Sequence, residues 1–353
     1  MKCRRLDLGL LSFVLLIGMV AYAPQAKAQS SHAGKPNLKP RVVTSFIWNS
    51  ELWQYMESIA VDRHGNIFVA QTNYWNEGNG PIVGNIVKVT PDGKQEVVAT
   101  VPTAGWLAGL AFDEDGTLYV ANVDTTPGVY RIGHDGLPSR VLTLPPDSTP
   151  QALAFYRGVM YLSDSGFGLV DSNGNGAVGA IWRKGPHDTG TPTTPWFQDP
   201  LISPQVPYGY GANGMAFYRD EMYIGVSDAG PFGDAPDSGR IVRLPIKHDG
   251  SPGQPVVLVQ KAELAWNDDF AFDVTGTLWV PLSSNGLATV ARDGTFTVLA
   301  NDPPWLDCPT VVAFGTTPAT RTMLYLANGG WSKGISNILS FDLGVPGLRL
   351  PVE

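Results

Sequence analysis

A short unit with one pattern occurs six times along the chain, and this repetition constrains the fold more than any other feature. The clearest copy covers residues 268–280, where apolar residues alternate on both sides of the turn sequence D-V-T-G. That pattern predicts two antiparallel strands joined by a tight turn. The fourth residue of every unit is alanine, whereas the first residue varies. The six first residues are Glu57, Ala108, Gln151, Asn213, Asp268 and Thr310.

Units that recur about every 50 residues are typical of β-propellers, whose blades are four-stranded antiparallel sheets around a channel. Two further strand-like runs follow each of the first five units and one follows the sixth, so we predict an all-β, six-bladed propeller with four strands per blade over residues 41–353. The 40 glycines and 29 prolines suit a chain with many turns. We expect the strand that begins at Arg41 to complete blade six; the tail, residues 343–352, is the competing candidate.

The N-terminal residues have the pattern of a secretory signal peptide. Lys2, Arg4 and Arg5 precede an apolar run, and an A-x-A sequence ends at Ala28. We therefore expect residues 1–28 to be removed, residues 29–40 to form a flexible leader, and the mature protein to be periplasmic or secreted. An uncleaved membrane anchor is the alternative, but the run is shorter than the roughly 20 apolar residues that a span needs.

The net charge disfavours some classes of partner, and the cysteine count limits the possible disulfides. The formal net charge is −8, and loss of the signal peptide makes it more negative, which disfavours binding to nucleic acid or to anionic membranes. Cys308 is the single cysteine after residue 28, so we expect a buried free thiol and no internal disulfide.

The varying first residues of the units are the main functional signal. In a propeller the inner strands all begin at one end of the channel, so these residues should converge at its mouth. Glu57, Gln151, Asn213 and Asp268 carry oxygen donors. Two carboxylates and two amides suit Ca²⁺, which takes about 6–8 oxygen ligands. The sequence predicts a divalent cation there, with Ca²⁺ as the favoured ion; the alternative is a polar, water-filled channel mouth.

Three of the units resemble a known family. E-S-I-A-V-D at Glu57, N-G-M-A-F at Asn213 and D-D-F-A-F-D-V-T-G-T-L-W-V at Asp268 resemble the metal-bearing strands of the senescence marker protein/gluconolactonase/luciferin-regenerating enzyme family. Those proteins are six-bladed propellers, and many are divalent-metal lactonases. The resemblance implies Glu57, Asn213 and Asp268 as metal ligands, with Asp268 also as general base. Gln151 stands where the family tends to have Asn, and the Asp268-Asp269 doublet resembles that of the related paraoxonases.

The long loops between second and third strands share a face with the predicted ring, and many aromatic residues fall on that face. This combination predicts an aromatic-lined pocket above the channel mouth. Asp164 ends a second strand, where it either contacts substrate or caps the top loop. The candidate substrate-binding residues are Asp164, Trp106, Tyr210, Trp266 and Asp269.

These observations favour an exported, divalent-metal-dependent hydrolase that acts on a small-molecule lactone or ester. The alternative is a non-catalytic, NHL-like propeller that binds a protein, a glycan or a small ligand on its top face. No Ser-His-Asp or Cys-His arrangement and no G-x-S-x-G sequence points to nucleophilic catalysis. A quinone-dependent sugar dehydrogenase is disfavoured because the top loops lack a cluster of basic and His residues.

Overall fold

The computed structural model describes residues 4–5, 38–47, 55–72, 82–103, 105–170, 174, 177–228 and 239–349. The signal peptide and the leader therefore lie almost wholly outside the described residues. In the described part the chain forms six four-stranded antiparallel sheets, which confirms the predicted six-bladed propeller. A seventh, two-stranded sheet joins β1 (Arg4–Arg5) to a short strand of blade three.

The first three blades follow the chain in order from the inner strand outwards. Blade one contains β3 (Tyr55–Val61), β4 (Ile67–Thr72), β5 (Val83–Val89) and β6 (Gln95–Pro102). Blade two contains β7 (Trp106–Phe112), β8 (Leu118–Val123), β9 (Gly128–Ile132) and β10 (Pro138–Thr143). Blade three contains β11 (Pro150–Tyr156), β12 (Val159–Asp164), β14 (Ala180–Lys184) and β15 (Phe197–Gln198), with β13 (Leu169–Val170) in its top loop.

The other three blades have the same order of strands. Blade four contains β16 (Ala212–Tyr218), β17 (Glu221–Val226), β18 (Arg240–Pro245) and β19 (Val256–Gln260). Blade five contains β20 (Ala271–Phe272), β21 (Leu278–Leu282), β22 (Gly286–Val290) and β23 (Phe296–Asn301). Blade six contains β24 (Pro309–Phe314), β25 (Met323–Gly329), β26 (Ser336–Asp342) and, as its outermost strand, β2 (Arg41–Ser45).

The strand β2 closes the propeller, as we expected for the segment that begins at Arg41. It pairs antiparallel with β26, and the Ser340 hydroxyl donates to the Arg41 carbonyl. The tail takes a different path, because Gly347 bridges to Asp273 and the Leu348 N–H donates to the Phe272 carbonyl. The competing candidate thus packs against blade five and does not extend blade six.

The helical content of the described residues is two short 3-10 helices, Pro200–Ile202 and Ala262–Trp266. Both lie in connections that lead into the inner strand of the next blade. No described helix has the length and apolar character that crossing a bilayer requires.

The invariant alanine of each unit has a common cross-strand partner. In every blade it lies opposite an aromatic residue of the second strand, so a small side chain is paired with a large one. Side chains alternate between the two faces of a strand, so this pairing sets which residues of the inner hairpin reach the neighbouring blade. The pairs are Ala60–Phe68, Ala111–Tyr119, Ala154–Tyr161, Ala216–Tyr223, Ala271–Trp279 and Ala313–Tyr325.

The inner strands contact their neighbours all the way around the channel, including β24 of blade six with β3 of blade one. At that last junction the Thr310 hydroxyl donates to the Met56 carbonyl over 3.0 Å. Close approach is also visible at Gly214, where a Cβ would lie 2.5 Å from the Asp268 carbonyl oxygen. Glycine is therefore required next to Asn213 for blades four and five to pack at this distance.

A buried ion pair fixes the connection between blades three and four. Arg240 Nη1 lies 2.6 Å from Asp228 Oδ2, and their side chains are 1% and 0% exposed. Arg240 also donates to the carbonyls of Leu201 and Ser203, over 2.7 Å each. Asp228 accepts from the Gln205 N–H with its other oxygen. The pair thus holds the incoming connection against the end of blade four.

Candidate functional site

The first residue of each repeated unit lies where the inner hairpin departs from regular pairing. In five blades the register shifts at this point, for example between Met56 and Ser58 around Glu57, and between Ala212 and Met215 around Asn213. In blade five regular pairing is limited to Ala271–Phe272, and Asp268 precedes it. A β-bulge bends its strand and re-aims a side chain, so these departures give the first residues a different direction from the regularly paired residues that follow. We call the six residues the ring.

Two carboxylates of the ring, Glu57 and Asp268, lie close enough to interact through their charges. Burial is the main cause that raises the pKa of Glu57 from 4.5 to about 7, although the Tyr55 hydroxyl opposes the shift by donating to it. Burial also raises the pKa of Asp268 well above its usual range, and the neighbouring charges of Glu57 and Asp269 add to that effect. Both carboxyl groups therefore resist ionisation. A bound cation would favour their charged forms and so lower both pKa values.

Asp269 lies beside this pair. Its Oδ1 atom is buried and has no hydrogen-bond partner within the described part of the chain. Burial first, and then the charge of Glu57, raise its pKa to about 8, while the Met215 N–H donates to it and opposes the shift. Its backbone connects blades five and six, since its N–H donates to Thr310 and its carbonyl accepts from Val312. The sequence reasoning placed Asp269 with the substrate-binding residues, and the structure places its charge near Glu57.

The two amides of the ring are held by hydroxyl groups that the sequence reasoning missed. Asn213 Nδ2 donates to Ser227 Oγ over 3.0 Å, and Gln151 Nε2 donates to Ser165 Oγ over 3.2 Å. In blade five Ser283 Oγ lies 3.3 Å from Asp268 Oδ2. Each serine follows the second strand of the same blade. Aligning the second strands would have revealed Ser165, Ser227 and Ser283, with Thr72 at the corresponding place in blade one.

The oxygen donors of the ring are of the kind that a hard divalent cation takes. They comprise the carboxylates of Glu57 and Asp268 and the side-chain oxygens of Asn213 and Gln151; the adjacent Asp269, outside the ring, adds an Oδ1 with no hydrogen-bond partner among the described residues. Among the described residues, no three His, Cys, Asp or Glu side chains are grouped so that they could hold a metal ion. A cation at this place would therefore depend on amide oxygens as well as carboxylates, which is ordinary coordination for Ca²⁺.

Cys308 is a buried free thiol, as the sequence predicted. Burial first, and then the charges of Asp268, Asp307 and Glu57, raise its pKa well above the usual range. The thiol therefore stays protonated at neutral pH and is a poor nucleophile. Its backbone has a φ of 51°, and its N–H donates to Asn285 over 2.8 Å.

Asp164 is occupied by hydrogen bonds within blade three. Its Oδ1 accepts from the Thr149 N–H over 2.7 Å, and its Oδ2 accepts from Trp182 Nε1 over 2.9 Å. The side chain is buried, and burial is the main cause that raises its pKa. Of the two interpretations of Asp164, these contacts agree with the cap of a top loop.

The other predicted contact residues are aromatic and half-buried. Tyr210 stacks on Phe167 with ring centroids 3.9 Å apart, Trp106 packs on the core of blades two and three, and Trp266 ends the second 3-10 helix. Of the remaining aromatic residues of the predicted pocket, Trp53, Tyr74, Trp75 and Phe232 lie outside the described residues.

A groove on blade three is separate from the ring. It has a volume of about 460 Å³ and is lined by residues that include Arg183, Lys184 and His187. Arg183 and Lys184 end the third strand and His187 follows it, and Lys184 lies opposite Met160 near the start of the second strand. The groove is therefore at the other end of the blade from the ring, and His187 is not part of the site.

The raised pKa values predict how stability depends on pH when no cation is bound. The unfolded carboxyls of Glu57 and Asp269 titrate near 4.5 and 3.8, but in the folded protein they titrate near 7 and 8. Between these limits the folded state binds more protons, so the free energy of unfolding should fall as the pH rises towards 8. Thermal melts with chelator from pH 5 to 9 measure this, and Glu57→Gln should show a shallower fall. Equal slopes for the two proteins would contradict the assignment.

The fold and the ring define a class of protein, a six-bladed propeller with oxygen donors at one channel mouth. No protein-family model and no curated protein sequence matches the chain. Among solved structures it is similar to a gluconolactonase from Xanthomonas campestris, with 15% identity, a TM-score of 0.60, and coverage of 92% of this chain and 99% of that chain. It is also similar to a luciferin-regenerating enzyme, with 15% identity, a TM-score of 0.59, and coverage of 88% and 98%.

A third solved structure with this fold has a different kind of description. It is a putative oxidoreductase (glucose dehydrogenase) from Thermus thermophilus, with 16% identity, a TM-score of 0.57, and coverage of 86% of this chain and 99% of that chain. At such identities the similarity shows the fold alone, and one fold serves several chemistries. The similarity agrees with the six-bladed propeller that the sequence resemblance implies.

Proposed function

We propose that the protein is a divalent-metal-dependent hydrolase of a lactone or ester and that the ring is its active site. One observation carries the proposal: the half-buried Glu57 lies close enough to the buried Asp268 for its charge to raise the pKa of Asp268, and both carboxyl groups resist ionisation. The side-chain oxygens of Asn213 and Gln151 accept no hydrogen bond from any described residue, so they are available as further metal ligands. Perturbed carboxyls in a concave site are typical of functional centres.

The ring residues would divide the chemistry between them. Glu57, Asn213, Asp268 and Gln151 would hold a divalent cation, with Ca²⁺ as the favoured ion, which would polarise the substrate carbonyl and stabilise the negative charge that develops on its oxygen. A carboxylate oxygen of Asp268 would accept a proton from water while the water oxygen attacks the carbonyl carbon. The bond from that carbon to the alkoxy oxygen of the lactone or ester would then break, and the released oxygen would take the proton back from Asp268, which restores the carboxylate.

The substrate would lie above the ring, on the face that carries the long loops. Trp106, Tyr210 and Trp266 are proposed as its apolar wall, because each is half-buried and belongs to the upper ends of the blades. Asp269 is proposed to contact the polar end of the substrate, beside Glu57. Asp164 is proposed to contribute to substrate binding only by holding the top loop that it caps. Its two oxygens already accept hydrogen bonds from Thr149 and Trp182.

The proposed setting is outside the cytoplasm. The pattern of residues 1–28 supports export to the periplasm or secretion. The net charge of −8 supports a small-molecule substrate over nucleic acid or a membrane surface.

A panel of γ- and δ-lactones and aryl esters, assayed with Ca²⁺ and with chelator, tests the proposal. We expect hydrolysis of at least one substrate class with Ca²⁺, loss of turnover with chelator, and recovery when Ca²⁺ is restored. Hydrolysis that is unaffected by the chelator would contradict the metal requirement. Absence of hydrolysis across the panel would contradict the enzymatic assignment.

A second candidate is the non-catalytic propeller that binds a ligand on its top face. The observation in its favour is that the six ring residues include no histidine and that Cys308 is held protonated. A Ca²⁺-dependent rise in the melting temperature without turnover of any lactone or ester would favour this candidate.

A further inference from the structure

Three blades share a contact between a ring residue and a serine that follows the second strand. The pairs are Gln151 with Ser165, Asn213 with Ser227 and Asp268 with Ser283. Ser165 and Ser227 are buried. The contact repeats in blades whose loops differ, so it belongs to the plan of the hairpin and not to one loop.

The hydroxyl of Ser227 has a single proton, and that proton is already used. Ser227 Oγ donates to the Asn267 carbonyl, which is 2.5 Å away. Towards Asn213 it can therefore only accept, and Asn213 Nδ2 lies 3.0 Å from it. The same Nδ2 is 3.4 Å from the Asn267 carbonyl oxygen. An amide turned by 180° would place its oxygen against two acceptors, so the nitrogen is the atom that faces Ser227 Oγ and the Asn267 carbonyl.

Ser165 repeats this arrangement in blade three. Its Oγ has two acceptors for its proton, Thr149 Oγ1 at 3.1 Å and the Thr149 carbonyl at 3.3 Å, and it accepts from Gln151 Nε2 over 3.2 Å. The Phe167 N–H donates to the same oxygen, also over 3.2 Å. A hydroxyl that accepts twice and gives away its proton again faces the amide nitrogen of the ring residue.

Ser283 works in the opposite sense, because its ring partner is a carboxylate. Its proton is directed at Asp268 Oδ2, 3.3 Å away, and at the Pro309 carbonyl, 3.1 Å away. The hydroxyl thus donates to a ring carboxylate, whereas the hydroxyls of Ser165 and Ser227 accept from a ring amide. For the two amides, the serine satisfies the nitrogen, which is the atom that a cation does not need.

We propose that Ser227 and Ser165 are positioning residues that fix the amide orientation of Asn213 and Gln151, so that each presents oxygen, and not nitrogen, to the channel mouth. The inference rests on the proposed metal site. A hard divalent cation is coordinated by the amide oxygen and repelled by the N–H₂ dipole. Without the serine acceptor the two orientations of the amide would become closer in energy, and only one of them can bind.

We call this fixing of the amide orientation by a serine the lock. A double-mutant cycle with Ca²⁺ alone as the probe tests it. Ser227→Ala should weaken Ca²⁺ binding about tenfold in a calorimetric titration, within the range seen when partners of metal ligands are removed. Ser227→Thr should retain affinity, because it keeps the hydroxyl and Thr72 occupies the corresponding place in blade one. In an Asn213→Asp background the penalty of Ser227→Ala should vanish, because the two oxygens of a carboxylate are equivalent.

The matched control is Ser340→Ala, another buried serine whose hydroxyl donates to a backbone carbonyl, here in blade six away from the ring. It should leave Ca²⁺ affinity unchanged. An equal penalty of Ser227→Ala in the wild-type and Asn213→Asp backgrounds would overturn the proposal, because it would show a purely structural role.

A second measurement separates this inference from the proposed function. Hydrogen exchange of the Asn213 side-chain amide, followed by NMR and assigned by its loss in Asn213→Asp, should be slow in the wild type and faster in Ser227→Ala. Slow exchange in a protein that does not bind Ca²⁺ would support the lock and refute the metal site. Equal exchange in wild type and Ser227→Ala would refute the lock, whatever the Ca²⁺ affinity.

Discussion

Replacing Asp268 with Asn is expected to abolish most lactone or ester turnover. The substitution keeps the shape of the side chain but removes the group proposed to accept a proton, a role worth about 10²–10⁴-fold in rate. It also removes one of the two ring carboxylates, whose charges interact with each other and raise the pKa of Cys308. Ca²⁺ binding should therefore weaken together with kcat/KM, and kcat should remain low even at saturating Ca²⁺.

The measurement is a thermal melt with Ca²⁺ and with chelator, combined with steady-state kinetics. A cation at a hundredfold excess over its Kd stabilises the wild type by about 2.7 kcal/mol, or roughly 5 °C in Tm for a chain of this size. Asp268→Asn should lose most of this shift at the same Ca²⁺ concentration. If the variant kept both the shift and the turnover of the wild type, Asp268 would be neither a ligand nor the general base.

Asp273→Asn provides the control, because Asp273 lies at the opposite end of the same hairpin. Its carboxylate accepts from the N–H groups of Thr275 and Thr277 and from Trp279 Nε1, over 2.9 to 3.1 Å. The change should lower the melting temperature through these lost contacts. The Ca²⁺-dependent shift should persist, which separates damage to the hairpin from damage to the ring.

Replacing Arg240 with Met is expected to destabilise the fold by about 3–5 kcal/mol, because it leaves the Asp228 carboxylate buried without its partner. The effect should be large since both side chains are essentially inaccessible, at 1% and 0% exposure. The carbonyls of Leu201 and Ser203 lose their donor as well. Urea denaturation of the two proteins at pH 7 measures the difference.

Two further variants test whether the loss in Arg240→Met comes from the unpaired charge of Asp228. Asp228→Asn in the Arg240→Met background should recover part of the loss, because it removes the unpaired charge and keeps a residue that tolerates the φ of 57° found there. Lys94→Met breaks an exposed pair with Asp92 and should leave the unfolding midpoint nearly unchanged. A loss below about 1 kcal/mol for Arg240→Met would show that the pair contributes little beyond its desolvation cost.

The propeller could be predicted from the sequence because each blade repeats the same local pattern. The constant alanine and the turn sequences identify the inner hairpins, and the structure pairs each alanine with an aromatic residue that the sequence also repeats. The strand at Arg41 could be assigned to blade six because that blade lacked a fourth strand. The candidate ring follows from the same alignment, since equivalent positions of a closed propeller converge.

Features that depend on side chains meeting from different strands or connections were not predictable in this way. Ser227 contacts both Asn213 of its own blade and Asn267 of the next, and aligning the second strands marks the serine but not these partners. Arg240 and Asp228 are 12 positions apart, and residues 229–238 between them lie outside the described part of the chain. Asp164 shows the same limit, because its partner Trp182 comes from the third strand and only the fold brings them together.

The closure of blade six has a consequence for biosynthesis. The hydrogen bond between Ser340 and Arg41 joins residues 299 positions apart, so β2 must wait until the five blades between it and β26 have been made. Until then β2 has no partner, and β3 and β24 cannot meet at Met56 and Thr310. Contacts of such high sequence separation slow folding. We therefore expect the closure of blade six to be a slow step of folding, which leaves a period in which the propeller is still open.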